Sequence, residues 1–214
     1  MFAGTRSIGK AFEARGHEVY SVEWNKDFEN IDLYADISQV TAQDILEKFG
    51  HPDVIWASPD CTTFSIAAIS HHRRKNPETG NLDPISDYAK FCDATDQHVV
   101  SLIKELNPTY YFIENPRGGM RKMSWMQDLP RYTVTYCKYG DTRMKPTDIW
   151  TNHPNPKIHL TFANSLISYD SKHSVYLQYL HNKQTLNLDY HNFLLYQKLL
   201  VCTSFHPFYL LINA

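Results

Sequence analysis

The 214 residues are enough for one domain, or one domain with an appendage. A hydrophobic share of 43%, a charged share of 21% and a net charge of -2 describe an ordinary globular protein, without the global positive field that announces nucleic acid, though a local basic stripe would suffice for DNA. The four cysteines (Cys61, Cys92, Cys137, Cys202) lie far apart with no metal-ligand spacing, as in a cytosolic protein with reduced thiols, and neither a secretory leader pattern nor an apolar run long enough to span a bilayer is found.

The chain opens with "MFAGTRSIGKAFEARGHEVYSVEW": a strand end, a glycine loop, a helix and a strand. Ser7 is placed to cap the helix, Ile8, Ala11 and Phe12 form its apolar face, and Gly16 stops it. "HEVYSVE" is a strand that finishes on Glu23, and "IDLYAD" a short strand that finishes on Asp36. "TAQDILEKFG" is a helix with capping-box spacing between Thr41 and Asp44 and a stop at Gly50. "DVIWAS" is apolar on both faces, as a central parallel strand must be. Residues 59–84 read as a polar loop carrying "SHHRRKNPETGN". "SDYAKFCDATDQHVVSLIKELN" is a long amphipathic helix, "TYYFIEN" a buried strand ending on a carboxylate, and "RYTVTYC" and "TDIWTN" are later strands.

This alternation predicts a doubly wound, mostly parallel α/β sheet with ligands at the carboxyl ends of its strands, where Glu23, Asp36, Cys61 and Glu114 all fall. A first strand leading into the glycine loop is largely missing. After Lys157 the composition changes: glycine, arginine, tryptophan and methionine vanish, and Leu, Tyr, His, Asn and Phe crowd in. We therefore divide the chain into a catalytic domain over 1–157, clipped at its start, and a divergent or out-of-frame tail over 158–214.

Each chemical feature has two readings. "AGTRSIG" brings backbone close to a cofactor or makes a plain tight turn. Glu23 accepts hydrogen bonds from ribose hydroxyls or is a solvated strand-end acid. Cys61, exposed after Pro59 and flanked by Thr62, Thr63 and Ser65, is a nucleophile or a packed thiol. Glu114 in "YYFIENPRGG" is a cleft-facing acid whose pKa burial would raise, or a cap of the following turn. "HHRRK" (His71 to Lys75) binds phosphates or is solvated.

In family order, "FAGTRS", Glu23, Asp36, "SPDCTTFS", "ENP" and "YGDTRMKPTDIWTN" make residues 1–157 resemble the DNA cytosine-5 methyltransferases, especially the compact phage-type enzymes. The resemblance implies a Rossmann-like fold that binds S-adenosylmethionine. Phe2, Ala3, Gly4, Thr5 and Ser7 would border the cofactor together with Pro59, which also shapes the nucleophile loop. Glu23 would hold the ribose and Asp36 the adenine amine. Cys61 would attack C6 of a cytosine flipped out of double-stranded DNA, Glu114 would act at N3, and Arg143 would orient the base and the carboxylate. "HHRRK" would lie on a loop closing over DNA. Asp60 puts a carboxylate beside the thiol, which should raise its pKa unless a cation such as Arg143 compensates, and Arg6 stands where many relatives have glycine. A monomer in the cytoplasm of a bacterium or phage-infected host is expected. The rival readings are an inactive remnant that at most binds DNA, and an RNA cytosine-5 methyltransferase, which would need a second cysteine.

Overall fold

The computed structural model describes residues 5–139, 141–154, 156, 176–177, 188–189 and 208–213. Its elements follow the expected alternation. Helix α1 (Ser7–Glu13) is followed by β1 (Glu18–Glu23), β2 (Leu33–Tyr34) and α2 (Ala42–Lys48), then β3 (Val54–Ser58). A short helix α3 (Ile69–His72) leads into a hairpin of β4 (Arg73–Lys75) and β5 (Leu82–Pro84), so residues 59–84 are more ordered than a polar loop. The long helix α4 (Asp87–Leu106) precedes β6 (Tyr110–Pro116), β7 (Arg131–Thr135) and β8 (Pro146–Thr151). Of the tail, β9 (Tyr176–Leu177) pairs with β10 (Leu188–Asp189), and β11 (Phe208–Asn213) lies in the main sheet.

Local chemistry explains most boundaries. Thr41 caps α2 through a full capping box with Asp44. Ser86 caps α4 by accepting from the Ala89 amide at 3.1 Å, and Asn107 closes it in the left-handed region at φ 44°. The expected cap of α1 is corrected: Arg6 occupies the N-cap position, and Ser7 is the buried first helical residue, its hydroxyl 2.8 Å from that of Thr5. Arg6 has φ 55°, a conformation glycine adopts freely and an arginine holds at a cost of about 1–2 kcal/mol.

The sheet has seven strands in the order β2-β1-β11-β3-β6-β8-β7. β1, β2, β3, β6 and β7 run in one direction, while β8 and β11 run against them. The chain is thus a mixed α/β protein with a mostly parallel central sheet. Among the described residues no strand precedes α1. The place between β1 and β3 is taken by β11, antiparallel to both, with Glu18 opposite Asn213 and Ser58 opposite Phe208.

Both faces of the sheet are covered, which is why β3 is apolar throughout. Val54 and Trp56 face a cluster with Ile8 and Phe12 of α1, Phe112, Ile149 and Ile212. Ile55 and Ala57 face the opposite cluster, with Ile45 of α2, Val99 and Ile103 of α4, Ile113, Trp150 and Leu211. Leu211 and Ile212 point to opposite sides, the period-2 alternation of a genuine interior strand.

Candidate active site

β3 carries the chain to Ser58, and Pro59 ends it. Cys61 then starts a single 3-10 turn over Thr62–Phe64, with its thiol partly exposed. The backbone on both sides of Cys61 is held. Before it, the Asn115 amide donates to the Pro59 carbonyl at 3.0 Å, and the Asp60 carboxylate accepts from the Thr62 amide and, at 2.7 Å, from the Tyr88 hydroxyl of α4. The carboxylate that the sequence sets beside the thiol is therefore occupied in building the turn and docking it to α4. After it, Arg73 donates to the Thr63 carbonyl at 3.0 Å and to the Thr63 hydroxyl at 2.8 Å, and its guanidinium carbon lies 4.0 Å from the centre of the Phe64 ring.

Arg73 is one of the residues expected to meet DNA phosphates. It is 2% exposed and forms a two-pronged ion pair with Asp93 of α4, so it is not available to DNA. The expectation for "HHRRK" fails at this position because β4 turns Arg73 inward while Arg74 and Lys75 stay exposed.

Glu114 lies one strand away. Ala57 pairs with Ile113 in the parallel ladder, so Ser58, the last residue of β3, stands beside Glu114. Burial raises the Glu114 pKa above the usual carboxylate range, and the negative charge of Asp148 pushes the same way. The Lys145 charge and a hydrogen bond from Ser58 oppose the shift without cancelling it. Glu114 is thus a buried acid at this strand end with its pKa shifted upward. Lys145 also lies over the ring of Tyr136, its amine 5.2 Å from the centroid. Burial and the Glu114 charge together hold the Tyr136 phenol neutral. Asp148 is itself paired with Arg121 and accepts from Thr133 at 2.7 Å.

Arg143 extends from the loop before β8, with its side chain 43% exposed and both ends of its guanidinium on Asp141 at 2.8 and 3.1 Å. It acts on the site through its charge, which favours ionisation of Tyr136, while Lys145 is the cation felt by Glu114.

Other strand ends form the second half of the site. The Glu23 side chain is fully buried at the end of β1 and accepts from the Asn25 amide at 2.9 Å. Trp24 beside it is 51% exposed, a large ring surface open to solvent. Asp36 lies two residues past β2, partly exposed, and caps a 3-10 turn by accepting from the Ser38 amide at 2.9 Å. Thr5 and Ser7 flank Arg6, whose Nε is buried without a hydrogen-bond partner. Phe2, Ala3 and Gly4 lie outside the described residues. Buried carboxylate oxygens at strand ends, hydroxyls at the start of α1 and an open indole suit a ligand with ribose hydroxyls and a planar base.

Several contributors escape a reading of the sequence alone. Asn115 is fully buried, and orienting its amide toward Pro59 leaves Oδ1 without a partner. Gly118 has φ -163°, ordinary extended backbone, yet a Cβ there would lie 2.4 Å from the Phe64 carbonyl oxygen. Its glycine identity is thus a matter of space: the "NPRGG" segment packs directly on the Cys61 turn. The available signals were an amide inside a buried strand end and paired glycines just after it.

No family model matches the chain. It is 29% identical over 163 residues, 71% of this chain and 68% of the other, to a probable DNA (cytosine-5)-methyltransferase of Frog virus 3 (isolate Goorha). This similarity agrees with the resemblance that the motif order of residues 1–157 carries.

Proposed function

We propose that the chain methylates C5 of cytosine in double-stranded DNA, with Cys61 as nucleophile and Glu114 as the acid at N3. The observation that carries this reading is the placement of a partly exposed cysteine and a buried carboxyl, its pKa raised by burial, at the ends of neighbouring parallel strands, joined through Ser58 and through the Asn115–Pro59 bond.

The residues present suit S-adenosylmethionine: Glu23 would hold the ribose, Asp36 the adenine amine, and Thr5, Ser7 and Pro59 would border it with Phe2, Ala3 and Gly4. When bound, this cofactor supplies an electrophilic methyl group. The strand order, with β8 reversed between β6 and β7, supports a Rossmann-like methyltransferase fold in which β11 substitutes for the first strand.

The chain's own residues account for the pyrimidine chemistry. The Cys61 thiolate adds to C6 of a flipped cytosine, breaking the C5–C6 double bond. Glu114 donates its proton or a hydrogen bond at N3, so negative charge does not accumulate on the ring, and C5 becomes nucleophilic. After methylation, a base removes the C5 proton, the electron pair re-forms the double bond, Cys61 leaves as thiolate, and a proton given to N3 returns to Glu114. Lys145 supplies positive charge to this acid, while Arg143 acts on the neighbouring Tyr136.

The RNA reading needs a second reactive cysteine. Burial, reinforced by Asp96 and Asp60, pushes the Cys92 thiol up to about 12, which leaves it without thiolate at neutral pH. This argues against Cys92 as that second cysteine. The test is transfer of labelled methyl from S-adenosylmethionine to a cytosine-containing duplex, with the native chain beside Cys61→Ser. Transfer by the native chain alone supports the reading; transfer by neither favours the inactive remnant.

A further inference from the structure

We propose that Arg73 is the positioning residue of the nucleophile: it fixes the Cys61 turn to α4. The inference rests on the reading of Cys61 as nucleophile.

The guanidinium is fully used: its shorter bonds go to Thr63 and Asp93, and the nitrogen on Asp93 Oδ2 also donates to the Leu82 carbonyl at 3.5 Å and the Met123 sulfur at 3.9 Å. Nε donates to the Thr63 carbonyl at 3.0 Å. One terminal nitrogen donates to the Thr63 hydroxyl at 2.8 Å and to Asp93 Oδ1 at 2.6 Å, and the other to Asp93 Oδ2 at 3.0 Å. The plane lies over Phe64. Asp93 is 6% exposed and projects from the same helix as Tyr88, which holds Asp60. Cys61 is therefore bracketed by two tethers to α4: Asp60–Tyr88 on the N-terminal side and Thr63–Arg73–Asp93 on the C-terminal side.

A buried ion pair is poor evidence of a stabilising role, because two charges lose their water and well-packed apolar side chains often do as well. What apolar residues cannot supply is direction. A planar fork with fixed donor angles sets the Thr63 carbonyl and hydroxyl in one orientation, and that sets the turn two residues after the thiol. β4 delivers this fork through the β4–β5 hairpin, whose Leu82 packs on the same core. A thiol that must approach a ring carbon closely and in line loses rate when its turn is free to drift.

The test compares the native chain with Arg73→Lys, Thr63→Val and, as a control on an exposed neighbour, Arg74→Ala. Arg73→Lys keeps the charge but not the fork. Thr63→Val removes one acceptor and leaves the ion pair intact, so it remains informative if Arg73→Lys does not fold. Two quantities are read: single-turnover methyl transfer at saturating duplex and S-adenosylmethionine, and the rate of iodoacetamide alkylation at Cys61, followed by peptide mass. We expect Arg73→Lys to lower single-turnover transfer at least tenfold with KM for DNA within twofold of native. Its Cys61 alkylation should rise threefold or more as the turn loosens. Thr63→Val should shift both in the same direction by less, and Arg74→Ala should leave alkylation unchanged. Native alkylation rates in both Arg73→Lys and Thr63→Val would overturn the proposal. So would a raised KM for DNA with unchanged single-turnover rate, which would mark Arg73 as a phosphate contact. Alkylation needs neither cofactor nor DNA, so it decides the role of Arg73 even if the native chain transfers no methyl group and the reading of its function fails.

Discussion

The side-chain amide of Asn115 donates to the backbone carbonyl of Pro59 at 3.0 Å, linking the strand that carries Glu114 to the turn that carries Cys61. The bond couples the Glu114 strand end to the Cys61 turn. Asn115→Ala should remove this link from a fully buried site, at a cost of about 1–3 kcal/mol in stability. Asn115→Asp should be worse for activity, because a carboxylate would face a carbonyl with no proton to offer. Thermal unfolding and methyl-transfer rate, measured together, check both.

Gly118→Ala tests steric fit. Its Cβ would fall 2.4 Å from the Phe64 carbonyl oxygen, which is backbone and cannot rotate away. We expect a loss of about 1–3 kcal/mol and a displaced nucleophile turn. Gly50→Ala is the comparison: it has open space but φ 87°, so its cost should be conformational and should spare the site.

The pH profile of methyl transfer should be bell-shaped, with an acid limb from formation of the Cys61 thiolate and an alkaline limb from loss of the Glu114 proton. Glu114→Gln should lower the rate and abolish the alkaline limb. Stability follows the same group. Because its folded pKa is raised by burial, the folded state holds the proton more tightly than the unfolded chain. That contribution is fully present below the ordinary carboxylate pKa and is lost as pH rises through the folded value. Unfolding followed from acid to neutral pH should show this fall in the native chain and a flatter profile in Glu114→Gln.

Asp96 adds a second term of the same sign. It is 3% exposed, one oxygen has no hydrogen-bond partner, and burial with the charges of Asp93 and Asp60 holds its pKa well above the usual range. Asp96→Asn should raise the melting temperature at neutral pH by a few degrees and leave it nearly unchanged in acid, where the native carboxyl is already neutral. A melting temperature that falls at neutral pH would contradict this account.

Truncating the interior strand is the fourth kind of test. Leu211 and Ile212 are 1% and 0% exposed, and Leu211→Ala should cost about 2–5 kcal/mol. A tail that is a mere appendage would tolerate it.

The elements of residues 5–154 were largely legible because their signals are local. Thr41 and Asp44 form the capping box their spacing announces, and the apolar run Val54 to Ala57 is buried on both faces as a strand between two helical layers must be. Glu114 was legible for a related reason: an acid at the end of an apolar strand has nowhere to be but half inside. Arg73 was not, because a run of basic residues carries no mark of which one turns inward; that depends on the β4–β5 hairpin and on a partner twenty residues on. The trace was in α4, where Asp93 and Asp96 fall on the same buried face as Cys92, Val99 and Val100. β11 was illegible because the tail that carries it has no glycine and no clear period, and its partners β1 and β3 lie some 150 residues or more away in the chain.

β11 also gives the molecule a temporal order. Without it, β2 and β1 form one fragment and β3, β6, β8 and β7 another, each with an open edge. The strand that joins them is synthesised after nearly everything it touches. On the ribosome the two fragments must wait side by side with unpaired backbone exposed, a state that favours aggregation and slow closure. Glu23 and Cys61 belong to different fragments, so the two halves of the candidate site come together only when this late strand is laid between them.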